Sequence, residues 1–276
     1  MRLRCARVSA KSARRGGQTD GEHYSRENRV YDRRESQRRA LVTGGAIRVG
    51  RAIALALSEA GWKVAVHFRS SEAEAAGVVR RLEELGPGGV ALRADLADPS
   101  AAENLVSDAV QALGGLDLLV NSAALFPRQD PLTVSAGEWD HLFAVNLRAP
   151  FLCAREAAKR MTAAEGGSIV NIIDTGADEA WPGYVPYVAT KAGLASVTRG
   201  LARAFAPTVR VNGVSPGPVL LPVGEDSEAY RARAAERTVL GRVGSPEDVA
   251  EAVLYLAGAE YVTGEIIRVD GGQHLT

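Results

Sequence analysis

Three side chains in the middle of the chain, Asp174, Tyr187 and Lys191, have the types and spacing needed for proton transfer. Asp174 follows a β-branched apolar run, residues 169–173, which predicts a buried parallel strand. Tyr187 and Lys191 are four residues apart and would share one face of a helix. A lysine ammonium near a phenol lowers the phenol pKa from about 10 toward neutral pH. The set predicts a tyrosine general acid, although a tyrosine and a lysine on a solvated helix would give the same pattern.

Along the rest of the chain, apolar and polar segments alternate in a way that predicts strands and helices in turn. The predicted strands cover residues 40–44, 63–68, 89–94, 116–120, 169–173, 209–214 and 265–270. Helices are predicted at Val49–Ala60 and Ser71–Leu85, and another begins at Asp98. This order predicts an α/β, doubly wound Rossmann-type fold with a seven-stranded parallel sheet, as a single domain over residues 39–276.

Two patterns predict how the second half of the chain is organised. Ser135 and Glu138 form a capping-box pattern, which predicts the start of a long helix that runs toward Met161. After the sixth predicted strand, a loop rich in proline and glycine begins at Pro216, and the next predicted helix opens at Ser245. In open α/β sheets the ligand crevice lies beyond the carboxyl ends of the strands, so we expect Asp174 to border it.

Length and composition fit one large α/β domain with a basic extension. The 276 residues carry no formal net charge, but residues 1–39 hold 12 Lys and Arg against 5 Asp and Glu. The remaining body is therefore mildly acidic. We expect no nucleic-acid partner, because the body lacks the broad basic composition of a nucleic-acid binder. We also expect no membrane span, since no apolar run approaches about 20 residues.

Residues 1–38 are rich in Arg, Ser, Gly and Gln and contain few large apolar residues, so we predict a disordered basic N-terminal extension. It lacks the apolar core of a secretory signal, and its acidic residues argue against an organelle transit peptide. The two cysteines, Cys5 and Cys153, show no metal-ligand spacing. They predict a chain without a disulfide framework in a reduced, cytoplasmic setting.

A glycine-rich turn, Thr43–Gly50, joins the first predicted strand to the first predicted helix. Glycines let the backbone approach a pyrophosphate, and the helix N-terminus presents N–H groups and the positive end of its dipole. Within a βαβ unit this turn predicts a dinucleotide site, although a tight turn without a ligand has the same composition. Arg48 favours the ligand, because a turn alone would need only small residues.

The end of the second predicted strand indicates which dinucleotide binds. Arg69, Ser70 and Ser71 lie there, and no acidic residue follows before Glu72. NAD sites usually place an acid here for the ribose 2′-OH, whereas a 2′-phosphate favours arginine and hydroxyl donors. Together with Arg48, these residues predict NADPH as the cofactor. The alternative is that they are ordinary exposed loop residues.

With the glycine turn, the Tyr-Lys pair and seven predicted strands in order, the chain resembles the short-chain dehydrogenase/reductase family from about residue 39 to the C-terminus. The family pattern is also met by Asp95-Leu96, Asn121-Ser122-Ala123, Asn146 and Pro216-Gly217. The resemblance implies that Tyr187 donates a proton and that Lys191 binds the nicotinamide ribose and tunes Tyr187. It further implies that Asn146 supports a water-linked proton relay.

Two departures from the general family pattern resemble one branch, the pteridine reductases. Arg48 and Asp174 stand where most members have glycine and serine, and the branch has the phosphate loop TGxxxRxG and an aspartate on the substrate side. The segment VHFRSSEAEA and the aromatic Phe126 also resemble this branch, which implies that Phe126 stacks on a pterin. Residues 122–125 and 218–230 depart from it, so the particular pterin or folate stays open.

The chemistry expected of Asp174 agrees with this branch. An aminopyrimidine presents N–H donors that a carboxylate accepts, together with ring nitrogens that need a proton. A ketone needs a hydroxyl that polarises its oxygen instead. The alternative is that Asp174 caps a loop or pairs with Arg69 or Arg128. Phe126 could likewise be an ordinary core residue.

The residues expected to contact NADPH are Gly44, Arg48, Val49, Gly50, His67, Arg69, Ser70, Ser71, Asp95, Leu96, Asn121, Ser122, Ala123, Tyr187, Lys191, Pro216 and Gly217. The expected catalytic residues are Asn146, Asp174, Tyr187 and Lys191, and the expected substrate contacts are Phe126, Asp174, Trp181 and Tyr187, with Tyr184 in the same pocket. His67 and His141 lie in no metal-like cluster, so we expect both to be structural and expect no metal.

The sequence leads to one hypothesis with two alternatives. The hypothesis is an NADPH-dependent reductase of pterins or folates that delivers a hydride to a C=N bond. One alternative is a carbonyl reductase of the same family that acts on a ketone or an acyl thioester. The other is a non-catalytic NADP-binding protein, against which the intact catalytic set argues. Family resemblance also implies a homo-oligomer, a tetramer or dimer built on the long helices.

Overall fold

The computed structural model describes residues 37–220 and 227–276. In this part of the chain seven strands form one sheet in the order β3-β2-β1-β4-β5-β6-β7, and every neighbouring pair is parallel. The strands are β1 (Arg38–Thr43), β2 (Trp62–Phe68), β3 (Gly89–Arg93), β4 (Leu118–Asn121), β5 (Gly167–Ile172), β6 (Val209–Pro216) and β7 (Ile266–Val269). The predicted doubly wound fold is confirmed. Because the strand order reverses between β1 and β4, the ligand crevice of such a sheet opens beside these two strands.

Helices cover both faces of the sheet. They are α1 (Arg48–Glu59), α2 (Glu72–Leu85), α3 (Pro99–Leu113), α4 (Ala136–Phe143), α5 (Ala149–Thr162), α6 (Gly176–Glu179), α7 (Val185–Phe205), α8 (Glu228–Glu236) and α9 (Pro246–Gly258). Short 3₁₀ turns lie at Pro182–Tyr184 and Gln273–Leu275. None of these helices is long and apolar enough to cross a bilayer.

The two apolar layers follow from the alternation of side chains along each strand. Val42, Val120 and Val170 belong to the cluster packed under α1, α2 and α9. Their neighbours along the same strands, such as Leu41 and Leu119, belong to the cluster packed under α3, α5 and α7. These strands are buried on both faces, which explains why they read as continuous apolar runs in the sequence.

The long helix predicted from Ser135 toward Met161 has the predicted start but is not a regular α-helix throughout. The capping box is present, since Glu138 N donates to Ser135 Oγ and Ser135 N donates to Glu138 Oε2. Between α4 and α5 the backbone widens into a π-helical turn at Ala144–Arg148. Pro150 lies two residues after the end of this turn and has no N–H to bond the carbonyl one α-turn earlier, that of Asn146.

The N-terminal boundary of the fold lies slightly earlier than predicted. Residues 1–36 of the predicted extension lie outside the described residues, but Gln37 and Arg38 belong to the fold. Gln37 Nε2 donates to Gly61 O at 2.9 Å, and the guanidinium of Arg38 lies 4.7 Å from the ring centre of the buried Trp62. The first strand thus begins one residue before the predicted domain boundary at residue 39, and the extension itself stays a prediction.

Helix α8 falls in the stretch that the sequence predicted as a loop. Described residues end at Leu220 and resume at Ser227, whose hydroxyl caps α8 by accepting from Tyr230 N at 3.2 Å. Ala234 is the buried residue of this helix. An amphipathic stripe is the main sequence signal for a surface helix, and α8 lacks one, so the sequence did not indicate it.

Candidate active site

A cavity of about 570 Å³ opens at the carboxyl ends of the strands. Most of the predicted site residues line it: Gly44, Arg48, Val49, Gly50, His67, Arg69, Ser70, Ser71, Asp95, Leu96, Ser122, Ala123, Phe126, Asp174, Trp181, Tyr187, Lys191, Pro216 and Gly217. Asn121 and Asn146 are not among the lining residues. The fold therefore gathers at one crevice residues that lie up to 173 positions apart in the sequence.

The glycine-rich turn is built for close backbone approach. Gly44 has φ +65°, and a Cβ at this position would lie 2.9 Å from the Cα of Ala123. A Cβ at Gly50 would collide with the carbonyl of Gly44. Thr43 Oγ1 accepts from Ser122 N at 3.0 Å and thereby ties the ends of β1 and β4 together. The result is a concave backbone surface at the N-terminus of α1, the arrangement that binds phosphate groups.

Arg48 occupies the first position of α1 in an unusual backbone conformation. Its φ is 54°, in the left-handed region that non-glycine residues seldom adopt. Such strain is often kept at functional sites. The side chain lines the same cavity as Arg69, Ser70 and Ser71, and the segment Arg69–Ser71 directly after β2 contains no acidic residue. The arrangement suits a group with negative charge beyond that of a pyrophosphate.

His67 closes the outer side of the glycine-rich turn. The imidazole is buried, with 3% exposure, and accepts through Nδ1 from Gly44 N at 3.0 Å. The other ring nitrogen, Nε2, lies 3.1 Å from Ala94 O. Burial lowers the pKa of His67, so the ring is neutral at neutral pH. These contacts agree with the structural role expected for His67.

Three of the four predicted catalytic residues meet at the floor of the cavity. Tyr187 Oη donates to Asp174 Oδ2 at 2.8 Å, and Asp174 Oδ1 accepts from Gly176 N at 2.8 Å. Lys191 Nζ donates to Ile172 O at 2.8 Å and lies 5.7 Å from the ring centre of Tyr187. Among the described residues Asp174 forms no ion pair with Arg69 or Arg128, but its bond from Gly176 N is the local loop contact that the other alternative expected.

The expectation that Lys191 lowers the pKa of Tyr187 is wrong in direction for this structure. Burial disfavours the phenolate, and Asp174 at hydrogen-bond distance adds like charge, so the pKa of Tyr187 is raised well above 10. Burial also raises the pKa of Asp174 and lowers the pKa of Lys191 to about 8. Tyr187 is therefore protonated at neutral pH.

The side chain of Asn146, a residue expected to support a water-linked proton relay, bonds the backbone of a neighbouring loop. Its Oδ1 accepts from Leu125 N at 2.8 Å, and its Nδ2 donates to Leu125 O at 2.8 Å. The π-helical turn places this buried amide so that it brackets the backbone of Leu125, one residue before Phe126. The side chain of Asn146 thus positions the loop that carries Phe126, and the proton relay stays a prediction.

Asn121 was expected to line the cofactor cleft, but its side chain points into the protein interior. Its Nδ2 donates to Asn171 Oδ1 at 2.9 Å and to Pro150 O at 3.3 Å, within the buried interior. Asn171 Nδ2 in turn donates to Thr198 Oγ1. The network joins β4, β5 and α7 below the cavity. The next residues along the chain, Ser122 and Ala123, form the cavity wall.

Four aromatic rings form the wall on the substrate side. Phe126 stacks on Tyr184 with centroids 4.5 Å apart and planes within 7°, and meets Tyr187 edge-on at 4.6 Å. Trp181 lies 6.4 Å from Phe126. Phe126 is 43% exposed, so it is not an ordinary core residue. Rings that converge in this way offer flat apolar surfaces to a planar ligand.

Glu179 joins three distant segments around the mouth of the cavity. Its carboxylate accepts from Trp181 Nε1 at 2.8 Å, from Arg237 Nη2 at 3.0 Å and from Gln273 Nε2 at 2.7 Å. Arg237, Gln273 and Tyr230 line the cavity but were not predicted, because nothing in their local sequence marks them. Thr175 was also missed. Its hydroxyl is buried without a hydrogen-bond partner, and the residue lines the cavity next to Asp174.

No cluster of His, Cys, Asp and Glu able to hold a metal ion occurs in residues 37–220 and 227–276. Cys153 is a buried free thiol whose pKa burial raises to about 12, so it does not act as a nucleophile. The titratable side chains of Tyr187, Asp174 and Lys191 line the cavity close to one another.

A dinucleotide crevice joined to a buried Tyr-Lys pair defines a nucleotide-dependent oxidoreductase. A family model described as Enoyl-(Acyl carrier protein) reductase matches residues 45–274. A Staphylococcus aureus 3-oxoacyl-[acyl-carrier-protein] reductase is 33% identical over 240 residues, which cover 86% of this chain and 98% of that relative. The chain belongs to the short-chain dehydrogenase/reductase family, as the sequence resemblance predicted.

Solved structures of the same family superpose closely. A double mutant of a Serratia marcescens short-chain dehydrogenase/reductase has a TM-score of 0.81 and 34% identity, with 86% of this chain and 97% of that chain covered. A FolM alternative dihydrofolate reductase 1 from Brucella canis, complexed with NADP, has a TM-score of 0.80 and 34% identity, with 87% and 95% covered. The similar proteins thus include one named as a 3-oxoacyl-[acyl-carrier-protein] reductase and one named as an alternative dihydrofolate reductase.

Proposed function

We propose that this protein is an NADPH-dependent short-chain reductase that reduces a C=N bond of a pterin or folate. The observation that carries the proposal is the 2.8 Å hydrogen bond between Asp174 and Tyr187 inside an aromatic cavity. A carboxylate at this position can accept the N–H groups of an aminopyrimidine, and the phenol beside it can give a proton to a ring nitrogen.

The cofactor is NADP(H). The backbone cradle at Gly44 and Gly50 fits a pyrophosphate, and Arg48 and Arg69 bring two cations to the end of β2 where a 2′-phosphate would lie. The NADP bound to the Brucella relative supports the same cofactor here. We propose that Asp95 and Leu96 flank the adenine and that Lys191 holds the nicotinamide ribose. NADPH supplies the hydride when bound.

The chain's own groups would handle the proton. Tyr187 holds its proton at neutral pH because burial and Asp174 raise the pKa of the phenol, so the group is a donor poised beside the substrate. Asp174 is fixed by Gly176 N and can turn its second oxygen from Tyr187 toward the substrate amino group. Lys191, 5.7 Å from the phenol ring, would stabilise the phenolate once the proton has left.

Phe126 and Tyr184 favour a flat heterocycle over an acyl chain. Their stacked pair presents a rigid aromatic face next to the catalytic phenol. A planar pterin could stack there, whereas a flexible thioester would gain little from the geometry. The aromatic wall and Asp174 thus support the same substrate class independently.

A carbonyl reductase remains the second candidate, and one observation favours it. The Staphylococcus aureus relative, named as a 3-oxoacyl-[acyl-carrier-protein] reductase, aligns over nearly its whole length. A ketone or acyl thioester would take its proton from Tyr187 in the same way. It would find Asp174, which carries no hydrogen while ionised, where a hydroxyl donor is wanted.

The deciding experiment follows NADPH oxidation by the purified full-length protein with dihydrobiopterin, dihydrofolate, folate and an acetoacetyl thioester. We expect turnover with at least one pterin or folate and at most weak turnover with the thioester. Ready reduction of the thioester without turnover or binding of any pterin or folate would replace this proposal with the carbonyl reductase. No turnover on either class, with NADPH still bound, would favour a non-catalytic protein.

A further inference from the structure

His67 lies near the end of β2, between the ends of the neighbouring strands β1 and β3. We propose that His67 is a positioning residue that shapes the phosphate loop for NADPH through an unprotonated Nδ1, so that cofactor affinity depends on the neutral imidazole. The inference rests on NADPH as the cofactor and is independent of the substrate.

The hydrogen bonds assign one tautomer to His67. The partner of Nδ1 is the backbone N–H of Gly44, which can only donate, so Nδ1 must accept and carry no proton. The partner of Nε2 is the carbonyl of Ala94, which can only accept, so Nε2 must carry the proton. The ring therefore satisfies both neighbours in a single state, neutral with the hydrogen on Nε2.

These contacts fix the phosphate loop in two places. Gly44 donates to the imidazole, and the next residue, Gly45, donates its N–H to the backbone carbonyl of His67 at 3.0 Å. One residue of β2 thus orients two consecutive peptide units of the turn, the first of which has φ +65°. Because Gly44 also packs against Ala123, a small rotation of its peptide would alter the cradle where the backbone must approach a pyrophosphate.

The same imidazole joins the phosphate end of the cavity to the adenine end. Ala94, which accepts from Nε2, directly precedes Asp95, and Asp95 lines the cavity. A neutral ring thus spans the loops after β1 and β3. A side chain that merely filled the space would hold neither loop through a directed bond.

Protonation would break this arrangement. A hydrogen on Nδ1 would face the N–H of Gly44, and two donors cannot bond each other. Among charged groups near the ring, Asp95 on the β3 side favours protonation, while Arg48 and Arg69 line the same cavity from α1 and the end of β2. Burial outweighs the effect of Asp95 and lowers the pKa of His67 below its ordinary 6.5. Protonation of the ring, and the loss of cofactor affinity that it would cause, are therefore expected on the acid side of neutrality.

Two substitutions test the hydrogen bonds of the two ring nitrogens separately. In His67→Asn, the amide oxygen falls near the position of Nδ1 and can still accept from Gly44. In His67→Gln, the longer amide reaches the position of Nε2 and can bond Ala94 but leaves Gly44 without its acceptor. NADP⁺ affinity is measured by calorimetry on the full chain for both variants and for the native protein at pH 7.5. We expect His67→Asn to stay within about threefold of native and His67→Gln to bind about tenfold more weakly or worse.

The pH dependence supplies a readout that simple loss of structure would not give. Native affinity should fall more steeply below pH 6.5 than that of His67→Asn, although both share the titration of the ligand's own 2′-phosphate near pH 6. Equal affinities for the two variants, or equal pH profiles for native and His67→Asn, would overturn the inference.

A measurement on the unmutated protein covers the case in which a variant does not fold. Nitrogen-15 shifts of the native His67 ring should show an unprotonated Nδ1 and a protonated Nε2 at pH 7.5, and the opposite tautomer would overturn the inference. Native protein that fails to bind NADP⁺ at all would overturn the cofactor assignment and this inference with it. Affinity in the native protein with no difference between the variants would overturn this inference alone.

Discussion

At the scale of single residues, one carboxylate changes what a shared catalytic set can do. Tyr187 and Lys191 follow the family pattern, and Asp174 stands where most members have serine. The carboxylate raises the pKa of the phenol, because it adds like charge to a phenolate that burial already disfavours. A serine hydroxyl would stabilise a carbonyl oxygen by donating to it, whereas Asp174 accepts. Substrate choice within this fold could thus depend on the direction of one hydrogen bond.

Asp174→Ser tests this directly. We expect kcat/KM for the pterin or folate to fall about tenfold to 100-fold or more, the loss expected for a charged hydrogen bond, with NADPH affinity unchanged. Tyr187→Phe is the matched control and should lower kcat with little change in binding, because it removes a proton and almost no contact area. Steady-state rates and NADPH fluorescence titration measure the two effects. Equal pterin turnover in Asp174→Ser would show that the carboxylate has a local structural role.

Lys191 predicts the alkaline limit of activity. Burial lowers the pKa of Lys191 to about 8, so its positive charge, which we propose holds the ribose and stabilises the phenolate during turnover, is lost as pH rises through about 8. We expect kcat/KM to fall about tenfold per pH unit above that value. Lys191→Arg keeps its charge and should move the decline toward higher pH even if its maximal rate is lower. An alkaline limb that does not move in Lys191→Arg would assign it to another group.

At the scale of elements, the aromatic wall of the cavity depends on features that the sequence patterns of regular helices and strands do not predict. The π-helical turn at Ala144–Arg148 directs the side chain of Asn146 onto the backbone of Leu125. This contact helps to fix the position of the next residue, Phe126. On the other side of the cavity, Glu179 at the end of α6 holds Trp181 and Arg237. Arg237 directly follows α8, so this carboxylate links the substrate wall to a helix whose own residue, Tyr230, lines the cavity.

Glu179→Gln should loosen this link. The amide keeps one acceptor oxygen where three donors converge, so we expect KM for the pterin or folate to rise about threefold to tenfold while kcat stays within about twofold. Glu84→Gln is the control, since Glu84 belongs to an exposed ion pair with Arg81 on α2 and does not line the cavity. A fall in kcat without a change in KM would place Glu179 in the chemical step instead of in substrate binding.

At the scale of the whole molecule, the long helices present an apolar face. Trp139 and Phe151 are 37% and 38% exposed, and a groove beside them is lined by Phe143, Leu147 and Val197 among others. Exposed aromatic residues clustered on one face mark association surfaces more often than free surface. We propose that a second copy of the chain covers this face, as the family resemblance implied.

Phe151→Glu should therefore shift the protein toward a smaller species. The carboxylate would have to be buried against the partner. We expect the free-energy cost of this burial to exceed what an interface of standard size contributes to association at micromolar concentration. Light scattering after size-exclusion chromatography measures the mass. Leu132→Glu, at an apolar residue 91% exposed outside the helices, is the control and should leave the mass unchanged. A native protein that already has the mass of one chain would contradict the proposal.

Truncation tests the N-terminal boundary. Deleting residues 1–36 should leave the melting temperature unchanged, because that stretch has few large apolar residues to bury. Deleting residues 1–38 removes the Gln37 bond to Gly61 and the Arg38 contact with Trp62, which together contribute about 1 to 2 kcal/mol. We expect the melting temperature to fall by about 2 to 8 °C for a domain of this size. A large drop from the shorter deletion would show that the extension contributes to stability.

The sequence by itself determined the sheet, because strands buried on both faces must be continuous apolar runs, and Val42, Val120 and Val170 mark three of them. It also predicted the crevice residues that follow strand ends, such as Asp174, since the chain direction of a parallel sheet brings those ends to one edge. Local signals suffice for both. The capping box at Ser135 is a third feature of this kind, as its partners are three residues apart.

Only the tertiary structure decided which hydrogen-bond partners the buried polar side chains have. Asn146 and Asn121 match the family pattern, yet their amides bond Leu125 and Asn171, because a buried polar group must find a partner and the nearest one depends on packing. The pKa of Tyr187 was predicted to fall and instead rises, since the sequence shows which charges are near in the chain but not how dry the site is. Glu179, Arg237 and Gln273 meet across 94 residues of sequence, and a contact that long leaves no periodic signal to read.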